Sequence, residues 1–346
     1  MVVSDIHKML QPYFNGKATK QVFVLTDGHT EQVCLPLLGD TVKDAPRCVV
    51  PSGEAAKTID NVQRIWDFLL AHHATRQAVL VNIGGGVVTD MGGFAAATYK
   101  RGIRFVNVPT TLLAMVDAST GGKTGVDHGG IKNAVGTFTM PQQTLIYPPF
   151  LRTLPVQEWL SGYAEMLKHA LIADPGEWHW LLSNDIESCV RGESADFATH
   201  LAASIHIKEQ IVSADPTEQG LRRALNFGHT VGHAIEEAYA RQGRSVAHGY
   251  CVLWGMVAEL YLSVIKLDMP CAALQQMVRL MLDCYGRPAC DCKQQEMLID
   301  LMREDKKNDT PAIINFTLLR EVGVPFINQT ATDSEIHEAL DYLFSL

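Results

Sequence analysis

Positive charge is in short supply in this chain. Across 346 residues, 29 Lys and Arg face 38 Asp and Glu, a formal charge of −9. Nonspecific nucleic-acid binding needs a basic face, so the charge balance argues against it. An anionic small molecule is still admissible, provided the cations are concentrated in one place. The start, MVVSDIHKML, lacks a charged n-region followed by an apolar h-region and does not read as a signal peptide. No apolar run is as long as a membrane span. The longest, YCVLWGMVAELYLSVI at 250–265, contains Glu259 and reads as a buried helix. None of the eight cysteines forms a C-x-x-C pair, so reduced thiols in a cytoplasmic protein are expected. Cys284, Cys290 and Cys292 are the one cysteine grouping that could bind metal. Internal repeats and low-complexity tracts are also missing.

What is present is the composition of an ordinary soluble protein, 47% apolar and 19% charged, at a length that suggests two domains. The first part alternates. VFVLTD (22–27), RCVVP (47–51), AVLVNIGG (78–85), RFVNVP (104–109) and TLIY (144–147) are short β-branched runs with turn residues at their ends. Helical patterns lie between them, at 58–73 and 86–100. This alternation predicts an α/β domain over residues 1–150, a parallel sheet covered by helices on both faces. YPPFLRTLP at 147–155 has three prolines in nine residues and marks the boundary. Residues 151–346 read as a mainly helical domain, with apolar residues three and four apart and one late strand at 312–319.

NIGGGVVTDMGGF (82–94) follows a strand and opens a helix. Glycines there let a backbone approach a pyrophosphate, and the helix N-terminus favours an anion. It is not G-x-G-x-x-G, and a tight turn also needs glycine, so both readings stand. In PSGEAAKT (51–58), Glu54 and Lys57 suit ribose or phosphate contacts, or a solvated helix start. The segment at 108–138 holds two glycine pairs, each closely followed by a lysine, Lys123 and Lys132. Two lysines in one glycine-rich loop suggest converging ammonium and N–H groups, an anion site.

In GYAEMLKHA (162–170), Glu165, Lys168 and His169 share one helical turn in an apolar setting, where a carboxylate needs a strong partner. Downstream, one helix predicted over 223–242 carries His229 and His233, four apart on one face. Arg222 and Asn226 extend that face at spacings of four, three and four. Thr230 stands where H-E-x-x-H has its glutamate. His248 follows in AHGY. Glu with two or three His makes a zinc set with an open position, and buried histidines of the core are an equal alternative.

Five segments together resemble the motif series of the 3-dehydroquinate synthase family. They are GGGVVTDMGGFAAATYKRGIRF, PTTLLAMVDASTGGKTGVDHGGIKNAVGTF, SGYAEMLKHALI, GLRRALNFGHTVGHA and DKK (305–307), in family order from about residue 50 to 310. The resemblance implies a Rossmann-like nucleotide-binding domain, a helical metal-binding domain and an active site between them. It implies conversion of 3-deoxy-D-arabino-heptulosonate 7-phosphate to 3-dehydroquinate and phosphate, using NAD and a zinc or cobalt ion, in a cytoplasmic homodimer. Neither nucleic acid nor membrane is expected as a partner. A cyclase acting on sedoheptulose 7-phosphate and a metal-dependent polyol dehydrogenase are the rival enzymes; a non-catalytic nucleotide-binding descendant is the rival of another class.

Residue by residue, the resemblance implies metal ligands Glu165, His229 and His248. It implies an NAD site lined by Glu54, Lys57, Gly84, Gly85, Gly86, Asp90, Thr110, Thr111, Asp117, Lys132 and Thr153, with Asp27 on the adenosine ribose. Lys123, Asn133, Lys168, Lys208, Arg222, Asn226 and His233 would surround the substrate. Arg101 would come from the partner subunit, and Lys306 would reach the phosphate. On this reading His233 faces substrate and His229 holds the metal.

Overall fold

The structure, a computed structural model, describes residues 1–14, 21–289, 294–304 and 313–346. Lys306, Lys307, Cys290 and Cys292 lie outside the described residues. The chain forms two compact units. One comprises residues 1–155 with 187–205, the other 156–186 with 206–346.

The first unit contains α1 (Ile6–Phe14), β1 (Val22–Asp27), α2 (Gly28–Val33), β2 (Arg47–Val50), α3 (Ile59–Ala71), β3 (Val79–Gly84), α4 (Gly86–Thr98), β4 (Arg104–Pro109), β5 (Lys123–His128), β6 (Ile131–Phe138) and β7 (Gln143–Thr144). Five strands form one parallel sheet in the order β2-β1-β3-β4-β7. Phe23, Leu25, Leu80 and Phe105 pack with Ile65, Leu69, Met91 and Phe94 of α3 and α4. Residues of opposite parity, Val24, Val81 and Val106, are equally buried, so both sheet faces are covered. That explains the unbroken apolar runs in the sequence. The expected strands at 22–27, 47–51, 78–85 and 104–109 form, whereas the one expected at 144–147 coincides with β7 only at Thr144.

The segment expected as a glycine-rich loop is instead the antiparallel hairpin β5–β6. Gly129 and Gly130 make its turn, both at positive φ, the backbone of a two-residue turn that favours glycine. Lys123 pairs with Phe138 at the open end, while Lys132 adjoins the turn. Their backbone positions are about 13 Å apart at the rise of a strand, so the hairpin separates the two lysines that the loop reading brought together.

The second unit contains α5 (Val156–Ala173), α6 (Pro175–Ser183), α9 (His229–Arg241), α10 (His248–Leu267), α11 (Ala272–Leu280), α12 (Gln295–Arg303), β8 (Asn315–Glu321), β9 (Val324–Thr330) and α13 (Asp333–Ser345). The intervening α7 (Ile186–Val190) and α8 (Phe197–Ala214) each include residues of both units. β8 and β9 pair as an antiparallel hairpin where one strand was expected. α10 has 20 residues and is apolar enough to match a membrane span in length, contrary to the shorter run read from sequence. Most of it is buried within the fold, against α5, α9, α13 and β8.

The single helix expected over 223–242 does not form. Leu221–Asn226 is a 3₁₀ turn, and α9 begins afresh at His229. Gly228 between them is left-handed, with φ 78°. Arg222 and Asn226 therefore do not share a helical face with His229 and His233. The cause is tertiary. A Cβ at Gly228 would stand 2.4 Å from Met256 Cγ and 2.8 Å from Val252 O, so α10 lies directly against this backbone.

Candidate metal centre and nucleotide edge

The metal candidates come from three helices of the second unit. On α5, fourteen consecutive residues from Trp159 to Ile172 are buried, and Glu165 lies among them. α10 meets α5 at Gly249, where a Cβ would be 2.0 Å from Ser161 O. The Gly249 N–H donates to Ser161 Oγ at 3.0 Å. Ser161 is one turn before Glu165, so this contact carries His248 to the carboxylate. α9 is fixed from the other side by Glu259 of α10, which is fully buried. Its carboxylate accepts from the backbone N–H of Gly228 (2.7 Å), Thr230 (3.1 Å) and Val231 (3.3 Å). A carboxylate at a helix N-terminus satisfies orphan donors and meets the favourable end of the dipole. His229, the first residue of α9, is held by that cap.

Glu165 Oε1 stands 3.5 Å from His229 Nε2 and 3.6 Å from His248 Nε2. A tetrahedral zinc site with bonds of about 2.1 Å has ligand–ligand edges of about 3.4 Å, so the donor set fits such an ion. The far ring nitrogens are oriented as metal ligands require. His229 Nδ1 lies 3.1 Å from Phe227 O, and His248 Nδ1 lies 3.2 Å from Glu236 Oε2. Each acceptor takes the Nδ1–H hydrogen bond and leaves Nε2 as the nitrogen that a metal would engage. Burial depresses the His248 pKa, but Glu236 and Glu165 outweigh it and hold the group up at about 10. The pocket thus favours positive charge. His233, one turn along α9, joins the cluster: nitrogens of His229, His233 and His248 all lie within 4.8 Å of one another.

Lys168, one turn after Glu165 and almost fully buried, is ion-paired with Glu165 Oε2. Arg222 is also buried and donates from Nη1 to Pro216 O at 2.7 Å. Asn226 donates to Glu218 at 2.9 Å. Lys208 lies buried on α8. Lys168 and the histidine cluster are assembled by α5, α9 and α10, whereas Arg222 and Asn226 reach their places through the 3₁₀ turn, which packs on α5. Sequence reading missed Glu236, Glu218 and the capping role of Glu259. The spacing of Glu236 three residues after His233 was the one available signal.

In the first unit, parallel register does the assembling. Asp27 pairs with Val50, Thr26 with Ile83, and Gly84 with Pro109. Asp27, Glu54, Lys57, Gly84–Gly86, Thr110 and Thr111 thus follow the carboxyl ends of four adjacent strands. Strand order reverses between β1 and β3, the switch point where such sheets bind ligands. α4 starts after Gly85 with no side-chain cap, which suits an anion at its N-terminus. Lys57 is buried and 2.6 Å from Asp90 Oδ2. Burial lowers its pKa, but Asp90, Glu54 and Asp127 more than offset that and raise it.

Asp27 is engaged already. It caps α2, accepting from the N–H groups of His29 and Thr30, from Thr30 Oγ1 at 2.7 Å and from Ser52 Oγ at 2.7 Å. Asp117 lies on a single π turn at 114–118, and Thr153 is the exposed last residue of a 3₁₀ turn whose Phe150 and Leu151 are buried. Asn133, at φ 51°, is anchored on β6 by Asp127 Oδ1 at 2.7 Å. Arg101 is exposed beyond the C-terminus of α4, about 20 Å of helix from Gly86.

A unit with a parallel nucleotide-type sheet and a helical unit carrying a Glu–His cluster define the dehydroquinate synthase-like class of fold. Residues 47–161 match the family described as 3-dehydroquinate synthase N-terminal, and 162–308 match 3-dehydroquinate synthase C-terminal. The chain is 42% identical over 344 residues to a 3-dehydroquinate synthase of Parabacteroides distasonis, covering 99% of this chain and 96% of that protein. The chain belongs to the 3-dehydroquinate synthase family. Among solved structures, 2-epi-5-epi-valiolone synthase from Streptomyces hygroscopicus subsp. jinggangensis, with NAD+ and Zn2+ bound, superposes with a TM-score of 0.86 at 27% identity, over 99% of this chain and 95% of that one. A 2-deoxy-scyllo-inosose synthase complexed with carbaglucose-6-phosphate, NAD+ and Co2+ shares the fold, with a TM-score of 0.81 at 23% identity and 99% and 95% coverage.

Proposed function

We propose that this chain converts 3-deoxy-D-arabino-heptulosonate 7-phosphate to 3-dehydroquinate and inorganic phosphate, as a phosphate-eliminating lyase dependent on NAD+ and a divalent cation. The observation that carries this reading is the placing of Glu165 Oε1 within 3.6 Å of both His229 and His248 Nε2 in a chain of this family. Glu165, His229 and His248 hold the cation; Gly84–Gly86, Glu54, Lys57, Asp90, Thr110, Thr111, Asp117, Lys132, Thr153 and Asp27 line the nucleotide. When bound, a zinc or cobalt ion polarises a substrate hydroxyl, and NAD+ takes up a hydride and later returns it.

The chain's own groups do the rest. Lys168, Lys208, Arg222 and Lys123 bind and orient the anionic substrate, and Lys306 meets its phosphate. Fixed cations of this kind stabilise negative charge that develops during elimination. Asn133 and Asn226 supply neutral donors, and His233 handles a proton at a substrate hydroxyl. Arg101, far along α4 from the glycine turn, serves the neighbouring site of a homodimer. We place the enzyme in the cytoplasm, with neither nucleic acid nor membrane as partner, and take residues 1–150 and 151–346 as its nucleotide and metal domains.

The test is a coupled assay for phosphate and NADH. Stoichiometric phosphate release without net NADH is expected. Stoichiometric accumulation of NADH would instead identify a polyol dehydrogenase and sink the proposal.

A further inference from the structure

α9 presents three groups on one face. His229, His233 and Glu236 are spaced by four and three residues, so they succeed one another along the helix. His229 faces Glu165, and His233 groups with His229 and His248. Glu236, largely buried, instead reaches His248 on α10, with Oε2 3.2 Å from Nδ1. The opposite nitrogen of that ring, Nε2, is the one 3.6 Å from Glu165. A carboxylate, an imidazole and the candidate metal position thus stand in series. The other histidine is supported differently: its Nδ1 meets a neutral acceptor, Phe227 O, at 3.1 Å. Both histidines open their helices, but His248 is the more exposed ligand, 27% against 11% for His229. It therefore has the greater need of an external brace.

We infer that Glu236 is a positioning residue for the metal centre, acting through His248. Its carboxylate accepts the Nδ1 proton, which fixes the tautomer with the lone pair on Nε2. It sets the ring plane, and it places a negative charge one ring away from the cation. The accepted hydrogen bond and the nearby charge raise the basicity of the ligand nitrogen, the fixed ring plane aims it, and together they tighten metal binding. The helix that supplies one metal-binding histidine thereby also orients the other. This inference rests on the metal reading given above and assigns a role to a residue outside the ligand set.

The experiment compares the full-length parent with Glu236→Gln and Glu236→Ala. Zn2+ affinity is measured by competition with a chromophoric chelator, and the visible spectrum is recorded with Co2+ in place of zinc. Loss of such a carboxylate typically costs between about 10-fold and about 100-fold in affinity. Glu236→Gln, which keeps an acceptor but loses the charge, should fall at the lower end. Glu236→Ala should fall at the upper end, with a displaced cobalt spectrum. Affinities and cobalt spectra equal to the parent's in Glu236→Gln would overturn the inference, even if the metal-free variants were less stable, because a purely structural residue behaves that way. Should Glu236→Ala fail to fold, the glutamine variant still decides. A parent chain that binds neither ion would overturn the metal reading and this inference with it.

Discussion

Glu259 of α10 accepts the backbone N–H of Gly228 at 2.7 Å and so caps α9 from a different helix. The cap joins the two helices that carry His229 and His248. Replacing Glu259 with leucine removes acceptors from three backbone donors, of which each buried one costs about 1–3 kcal/mol if left unsatisfied. Glu259→Leu is therefore expected to lower unfolding free energy by more than about 3 kcal/mol, with Glu259→Gln losing distinctly less. Urea unfolding of the two variants checks this, and equal losses would show that the acceptor geometry is unimportant.

Gly228→Ala should be damaging for two reasons that act together. A left-handed backbone costs a non-glycine residue about 1–2 kcal/mol. The added Cβ would also press into Met256 Cγ and Val252 O. We expect a fall in melting temperature and a loss of bound metal, since His229 is the next residue. Wild-type metal content in a folded Gly228→Ala protein would refute the second expectation.

The two histidines of α9 should separate in metal analysis. His229→Ala is expected to lose the ion on dialysis against chelator-treated buffer. His233→Ala is expected to retain it while phosphate release falls by about 10²–10⁴-fold, the range for loss of a proton-transfer group. Lys123→Ala should likewise keep the ion and lose turnover. Metal loss from His233→Ala would move His233 into the ligand set, where its place within 4.8 Å of the other nitrogens would admit it.

The Lys57–Asp90 pair predicts a pH dependence at the alkaline end. Burial lowers the Lys57 pKa, but Asp90, Glu54 and Asp127 carry it above the ordinary 10.5. A raised folded pKa gives stability that is fully present below 10.5 and lost as pH rises through the higher folded value. Lys57→Met should cost about 3 kcal/mol at neutral pH by leaving Asp90 without its cation, and less as pH climbs past that value. Unfolding curves at several alkaline pH values test it; a pH-independent difference would show that the ion pair contributes nothing.

Much of the architecture is legible in the sequence alone. β1 to β4 follow from β-branched runs of strand length, and α3, α4, α5, α8, α10 and α13 from apolar spacing, because each pattern reflects burial of the element's own residues. The β5–β6 hairpin was not legible, since its glycines and lysines lack the alternation that marks a strand, and only pairing with a neighbour gives them an extended form. The start of α9 was misread for a related reason. Helical spacing runs unbroken through Asn226 and His229, and what breaks it is the backbone of α10 pressed against Gly228.

The sequence by itself determined the chemistry: an acidic carboxylate, three histidines and several lysines of a recognisable family series, on elements of predictable type. Tertiary structure alone decided the partners. Glu236 and Glu259 look in sequence like ordinary helix carboxylates, one beside a second glutamate, the other inside an apolar run. Their acceptors are used across the α9–α10 crossing, between residues 12 and 31 positions apart. Periodicity reports which face a residue occupies, and it carries no information on which other helix that face will meet.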